Sequence, residues 1–133
     1  MTPKKADKTD TYVLIVDEDP SLRQSLQEIF EFSGYVALTA ASAREGLQIL
    51  HSSYSKPCVI ISDVLMREMD GYQFYQAVYA DERWRDIPFI FISAKNRLRD
   101  ESEKRGLKVY GYLSKPFMVE DLLSAVAKLV QHA

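Results

Sequence analysis

Short apolar runs alternate along the chain with longer amphipathic stretches. Tyr12 to Val16 is an unbroken apolar run of strand length, rich in β-branched residues. Pro20 to Phe32 then carries Leu22, Leu26, Ile29 and Phe30 at helical spacing. Asp19 stands as N-cap before Pro20 at the first helical position, and Gly34 supplies the C-terminal stop. Tyr35 to Ala40 predicts a second strand. Ser42-Ala43-Arg44-Glu45 matches a capping box and opens a helix with Ala43, Leu47 and Leu50 on one face. Lys56-Pro57 breaks the chain, and Cys58 to Ser62 follows as a third strand, apolar on both faces. Gly71 to Ala80 predicts a helix with Phe74 and Val78 four apart, and Pro88 introduces a fourth strand, Phe89 to Ser93. Arg97 to Arg105 is a polar helix whose oppositely charged pairs, such as Arg97/Glu101 and Asp100/Lys104, are four apart. Val109 to Ser114 is a fifth strand. Val119 to Val130 is the last helix, with a broad stripe of Val119, Leu122, Leu123, Val126, Leu129 and Val130.

Near-continuous apolar strands alternating with helices predict an α/β fold, a five-stranded parallel sheet covered on both faces. Right-handed crossovers make the sheet open and doubly wound. In such sheets chemistry sits beyond the carboxyl ends of the strands, at a topological switch point.

Composition narrows the function classes. The chain has 133 residues, enough for one domain with its own core. Residues 1–11 are too polar to repay ordering and are expected to form a disordered tail, leaving 12–133 as the domain. With 17 Lys+Arg against 19 Asp+Glu the formal net charge is −2, which gives no support to direct nucleic-acid binding. No apolar run approaches the roughly 20 residues of a bilayer helix, so no membrane association is expected. The single cysteine, Cys58, excludes an internal disulfide, reads as a buried inert thiol, and suits a reducing, cytoplasmic setting. Two histidines, His51 and His132, with one cysteine leave little room for a structural zinc site.

The predicted strand ends carry the polar groups. The first ends in Asp17-Glu18-Asp19, the third in Asp63, the fourth in Ser93-Ala94, the fifth in Lys115-Pro116. With Asp19 used as a cap, Asp17, Glu18 and Asp63 form a carboxylate cluster. Two full charges about 5 Å apart cost on the order of 3 kcal/mol at an effective dielectric of about 20. Such a cluster needs a proton, a cation or the Lys115 ammonium to offset it. Mg²⁺ suits it, because that ion binds one or two carboxylates and takes phosphate oxygens. A carboxylate beside Mg²⁺ and a lysine is a plausible nucleophile towards a phosphoryl group, with Ser93 able to hydrogen-bond a transferring oxygen.

Val13 to Pro20 (VLIVDEDP), Ile61 to Asp63 (ISD), Met66 to Gly71 (MREMDG), Ile90 to Ala94 (IFISA) and Tyr112 to Phe117 (YLSKPF) are the stretches that matter. Any one of them is weak. Together, in order and each at or just after a strand end, they make residues 12–130 resemble a response-regulator receiver domain, the phosphoacceptor module of two-component signalling. The resemblance implies a flavodoxin-like sheet of order 2-1-3-4-5 with helices on both faces. It implies that Asp63 accepts the phosphoryl group as an aspartyl phosphate, from a histidine kinase or a histidine phosphotransfer protein. Asp17 and Glu18, with Asp63 and the Leu65 backbone carbonyl, would hold Mg²⁺. Ser93 would bond the phosphoryl group, Lys115 would pair with it across a cis Lys115-Pro116 peptide, and Tyr112 would be the switch aromatic. The only reactions catalysed would be the domain's own phosphotransfer and dephosphorylation. Output would pass to a downstream protein, or to an effector domain outside these residues, through the face made by the predicted fourth helix, fifth strand and fifth helix.

Four positions depart from the commonest pattern of that family. Glu18 stands where Asp is frequent, Ser93 where Thr is, Arg67 where Pro is, and Lys108 where Gly is. None removes a required group. Leu65 and Lys95 fall where the family tunes phosphoryl lifetime, and Leu65 positions an attacking water poorly, so slow self-hydrolysis is expected.

Each residue also has a plainer reading. Asp17 and Glu18 could be loop acids at a helix start, Asp63 a turn residue, Lys115 a surface lysine, Ser93 a backbone-bonding hydroxyl, and Tyr112 a core aromatic with a wet hydroxyl. Only convergence at one edge separates the readings. A competing function is a small phosphohydrolase of haloacid-dehalogenase type, with Asp17 as nucleophile and Asp19 as acid. Against it, Pro20 replaces the expected Thr or Val, and the chain lacks room for a substrate cap. Flavin binding shares the sheet, but the first loop lacks a Ser/Thr/Gly-rich phosphate cradle. Trp84, among charged residues, has no role in this reading.

Overall fold

The computed structural model describes residues 11–93 and 109–131. The predicted tail (save Thr11), the polar helix 97–105, and the positions Ala94, Lys95 and Lys108 lie outside the described residues. Five parallel strands, β1 (Val13–Val16), β2 (Ala37–Ala40), β3 (Val59–Asp63), β4 (Phe89–Ser93) and β5 (Gly111–Ser114), form one sheet in the order β2-β1-β3-β4-β5. Four helices are described: α1 (Pro20–Phe32), α2 (Ala43–Ser52), α3 (Gly71–Tyr79) and α4 (Val119–Gln131). The parallel sheet is the one the alternation of elements predicted, and its order is the flavodoxin-like one that the resemblance implied.

The pleat sorts the core into two layers. Leu14, Val16, Ile60, Phe89 and Phe91 face α2 and α3, whose Leu50, Tyr72, Phe74, Tyr75 and Val78 are buried against them. Val13, Ile15, Val59, Ile61, Ile90 and Ile92 face the other way, onto Leu26 and Phe30 of α1 and Leu122 and Val126 of α4. Both faces of the central strands are therefore apolar, as the unbroken runs require.

The ladders are shorter than the apolar runs. Pairing begins at Val13 rather than Tyr12, Ala37 rather than Tyr35, Val59 rather than Cys58, and Gly111 rather than Val109. Tyr12 and Tyr35 are buried beside the sheet without belonging to it. The apolar pattern reports burial, and helices bury residues beyond the last ladder bond.

Local signals fix the helix ends. Asp19 caps α1, its Oδ1 accepting the amides of Ser21 at 3.0 Å and Leu22 at 3.4 Å. At the other end Ser33 is the cap residue, and Gly34, at φ 94°, is the left-handed residue after it. The Tyr35 amide reaches the Phe30 carbonyl at 2.9 Å and the Gly34 amide the Glu31 carbonyl at 3.0 Å. Those two bonds and the edge-on Phe30–Tyr35 contact, 5.5 Å between centroids, complete a Schellman motif. In α2, Ser42 accepts the Glu45 amide, but Glu45 reaches back to the amide of Ala41, one residue before the cap. The reciprocal capping box is at α3 instead, between Asp70 and Gln73, where Asp70-Gly71 alone reads as a turn. Asp70→Ala is expected to cost about 1 kcal/mol in urea unfolding, whereas a loss below a few tenths would mean water replaces the cap.

Trp84 is a core residue, 5% exposed. His51 meets its ring edge-on at 4.7 Å and the Arg83 guanidinium covers it at 4.6 Å. Flanking charges hide an apolar site from a pattern reading, although here an arginine head lies over the ring it flanks. Cys58 is half-buried, and burial pushes its thiol up to about 11, so it is unreactive at neutral pH.

Candidate functional site

Register assembles the carboxyl edge. Val16 of β1 pairs with Ser62 of β3, so Asp17 and Asp63 are the next residues on adjacent strands. Ser93 pairs with Ser114, and the following residue, Lys115, donates its amide to the Ser93 carbonyl at 2.8 Å. The Lys115-Pro116 peptide is cis, as the resemblance implied. From there the Lys115 side chain crosses to the acids. Its Nζ lies 3.1 Å from Asp17 Oδ2 and 3.0 Å from Asp63 Oδ2. Asp17 is 1% exposed, Asp63 8%, and Ser93 is fully buried beside them in the sheet.

One ammonium serves two carboxylates in a buried place, and burial and hydrogen bonding together set the protonation of Lys115 and Asp63. Burial works against charge on Lys115, but its hydrogen bonds to Asp63 and Asp17 outweigh it and hold the ammonium above the usual lysine range. Burial pushes the Asp63 carboxyl above the usual range, and the charge of Asp17 adds to this; the Lys115 hydrogen bond recovers only part. A raised carboxyl means that ionising Asp63 is harder in the folded chain than in the unfolded one. Its ionisation therefore weakens the fold as pH rises through the raised value.

Each acid is further tied by backbone. Asp17 Oδ1 accepts the Asp19 amide at 2.9 Å, and Asp63 Oδ1 accepts the Leu65 amide at 3.2 Å. The Asp17 carbonyl accepts Arg23 Nη1 at 2.7 Å. Arg23 was not among the predicted site residues. A cation in the opening turns of a helix runs against the macrodipole, and that is the available signal that it is held by another group. Glu18 behaves differently from the other two acids. Its Oε2 accepts the backbone amide of Arg67 at 2.9 Å, across the mouth on the β3–α3 loop. That bond exists only because residue 67 is not proline.

The donor set fits a small hard cation in kind. Asp17, Asp63 and Glu18 offer carboxylate oxygens and the Leu65 carbonyl a fourth oxygen, all hard donors. In position the set is not gathered: among the described residues no three acids, histidines or cysteines stand ready around one ion. Asp17 and Asp63 converge on Lys115, and Glu18 is turned to Arg67. Leu65, two residues after Asp63, is half exposed. Tyr112 is half-buried with its ring 6.4 Å from that of Phe91. Nothing in the geometry favours the phosphohydrolase reading, since Asp19, its required acid, is used in capping α1. Among the described residues no helix is long and apolar enough to cross a membrane.

Comparison with known proteins gives a consistent answer. A sequence profile of the response regulator receiver domain matches residues 13–127. Response regulator Rre1 of Synechocystis is 34% identical over 119 residues, which cover 89% of this chain and 51% of that protein. The probable transcriptional regulator ycf29 of Porphyra purpurea is 31% identical, over 89% of this chain and 56% of its own length. The chain thus spans about half the length of these curated relatives. Among solved structures, chemotaxis protein CheY4 of Vibrio cholerae superposes with a TM-score of 0.80 at 31% identity, over 90% of this chain and 98% of that one. The signal receiver domain of a histidine kinase from Syntrophus aciditrophicus gives 0.81 at 30% identity, over 92% of each chain.

Proposed function

The chain belongs to the response regulator receiver domain family of two-component systems, and from that premise we propose that Asp63 is its phosphoacceptor. The observation that carries this reading is the Lys115 ammonium bridging the Asp17 and Asp63 carboxylates at 3.1 and 3.0 Å. A surface lysine or a turn aspartate would have no reason to meet there.

The donor is a phosphohistidine of a histidine kinase or a phosphotransfer protein, or a small acyl phosphate. An Asp63 oxygen forms the new O–P bond as the donor's N–P or O–P bond breaks, and the leaving group departs with the electron pair. Asp63 is held for this by the Leu65 amide on Oδ1 and by Lys115 on Oδ2. Lys115 neutralises a transferring oxygen, and the Ser93 hydroxyl bonds one once the group has arrived. Mg²⁺, held by Asp17, Glu18, Asp63 and the Leu65 carbonyl, would supply the remaining positive charge at the phosphoryl oxygens.

Phosphorylation turns the −1 of the Asp63 carboxylate into roughly −2 on the acyl phosphate, at an edge where one ammonium already serves two acids. Ser93 and Tyr112, on adjacent strands, are the groups through which that change would reach the outer face of β5 and α4. The output is a partner protein or an effector domain outside these residues. Leu65 beside the acceptor supports a long-lived acyl phosphate.

Incubation with Mg²⁺ and a small phosphodonor, followed by intact-mass measurement, tests this. A one-phosphoryl gain is expected, at least a hundredfold reduced in Asp63→Asn. A gain retained in that variant and lost in Asp17→Asn would place the nucleophile elsewhere.

A further inference from the structure

Of the three acids at the mouth, two are already gathered and one is parked. Asp17 and Asp63 share Lys115 and are buried, whereas Glu18 is more open, and its Oε2 lies on the Arg67 amide at 2.9 Å. The loop bearing that amide is held locally. Glu68 takes a left-handed φ of 62°, and its carboxylate meets Arg44 of α2 at 3.3 Å. The Arg67 N–H is presented beside that left-handed turn, and the Glu18 carboxylate crosses between the two loops to reach it.

We propose that the Glu18–Arg67 bond is a latch that holds the third acid away from the other two, and that it opens when a divalent cation binds. This rests on the phosphoacceptor reading, in which Asp17, Glu18 and Asp63 hold Mg²⁺ together. The donor and the acceptor both reach solvent, so a released amide is hydrated rather than orphaned. Opening therefore costs about one exposed hydrogen bond, which weakens cation binding roughly two- to tenfold. A chain with proline at this place has no donor and no latch. The Glu18–Arg67 pairing then makes resting cation affinity a property of residue 67, a position that touches neither cation nor phosphate.

Two measurements on the whole chain test it. In the first, amide hydrogen exchange at Arg67 is followed by NMR without metal and at saturating Mg²⁺. Exchange is expected to be slow without metal and to quicken with Mg²⁺, while the Asp19 amide on Asp17 stays protected. Unchanged protection at Arg67 would overturn the latch. In the second, Mg²⁺ affinity is measured by calorimetry for Arg67→Pro against Arg67→Ala, which share the loss of the side chain and differ in the N–H. Binding roughly two- to tenfold tighter in the proline variant is expected, and equal or weaker binding also overturns the proposal. Failure of the unmodified chain to bind Mg²⁺ saturably is a separate result, which removes the cation from the phosphoacceptor reading as well.

Discussion

Gly71→Ala is expected to unfold the chain at a temperature roughly 10 °C lower, the equivalent of about 3 kcal/mol, and to slow phosphoryl gain at Asp63 in the protein that remains folded. A Cβ on Gly71 would lie 2.4 Å from the Asp63 carbonyl oxygen and 2.9 Å from Val64 Cα. Both are backbone atoms, so no side chain can yield. Either α3 moves out, breaking the 2.8 Å bond from the Gly71 amide to the Val64 carbonyl, or the end of β3 moves. The second course carries the Asp63 carboxylate off Lys115. Gly111→Ala is the control, because its Cβ would meet only Ile90 side-chain carbons at 3.7 and 3.9 Å, an ordinary contact. Thermal unfolding of both variants and intact-mass kinetics on the folded fraction decide it. An alanine at 71 as harmless as one at 111 would mean that the start of α3 does not position the acceptor.

Much of this arrangement is legible before any coordinates. Doubly apolar runs mark the three central strands, β1, β3 and β4, and the alternation of strands with helices predicts an open parallel sheet, whose order came from the resemblance. Asp19-Pro20 and Gly34 bound α1 because their chemistry is local. Convergence of Asp17, Asp63 and Lys115 follows from topology as well, since each ends a strand of one parallel sheet. Less legible is whatever depends on loop conformation. The Glu18–Arg67 bond spans 49 positions and needs the backbone turn at Glu68. Trp84 is hidden by its arginine neighbours. The strand starts are blurred because Tyr12 and Tyr35 are as buried as the ladder they flank. Arg23 looks like a surface residue until the Asp17 carbonyl is seen to hold it.

Lys115→Met should leave a pH-dependent defect. The ammonium is the only described side-chain cation on the two carboxylates, and methionine keeps most of the stem's packing while removing the charge. Breaking a fully buried pair costs about 3–5 kcal/mol. A quarter of the Lys115 side chain is exposed, so solvent screening reduces this to about 2 kcal/mol at pH 7. Without Lys115, burial and the charge of Asp17 raise the Asp63 carboxyl further than they already do. The sign then follows. A carboxyl raised in the folded state binds a proton more readily there than when unfolded, so the variant's deficit is full above the raised value and shrinks as pH falls through it. Urea unfolding of the variant and the parent at two pH values, pH 7 and the lowest at which both still fold, measures both ends. A deficit equal at the two pH values would mean that Lys115 stabilises through packing alone. That result would also remove the charge balance on which the phosphoacceptor reading of this edge depends.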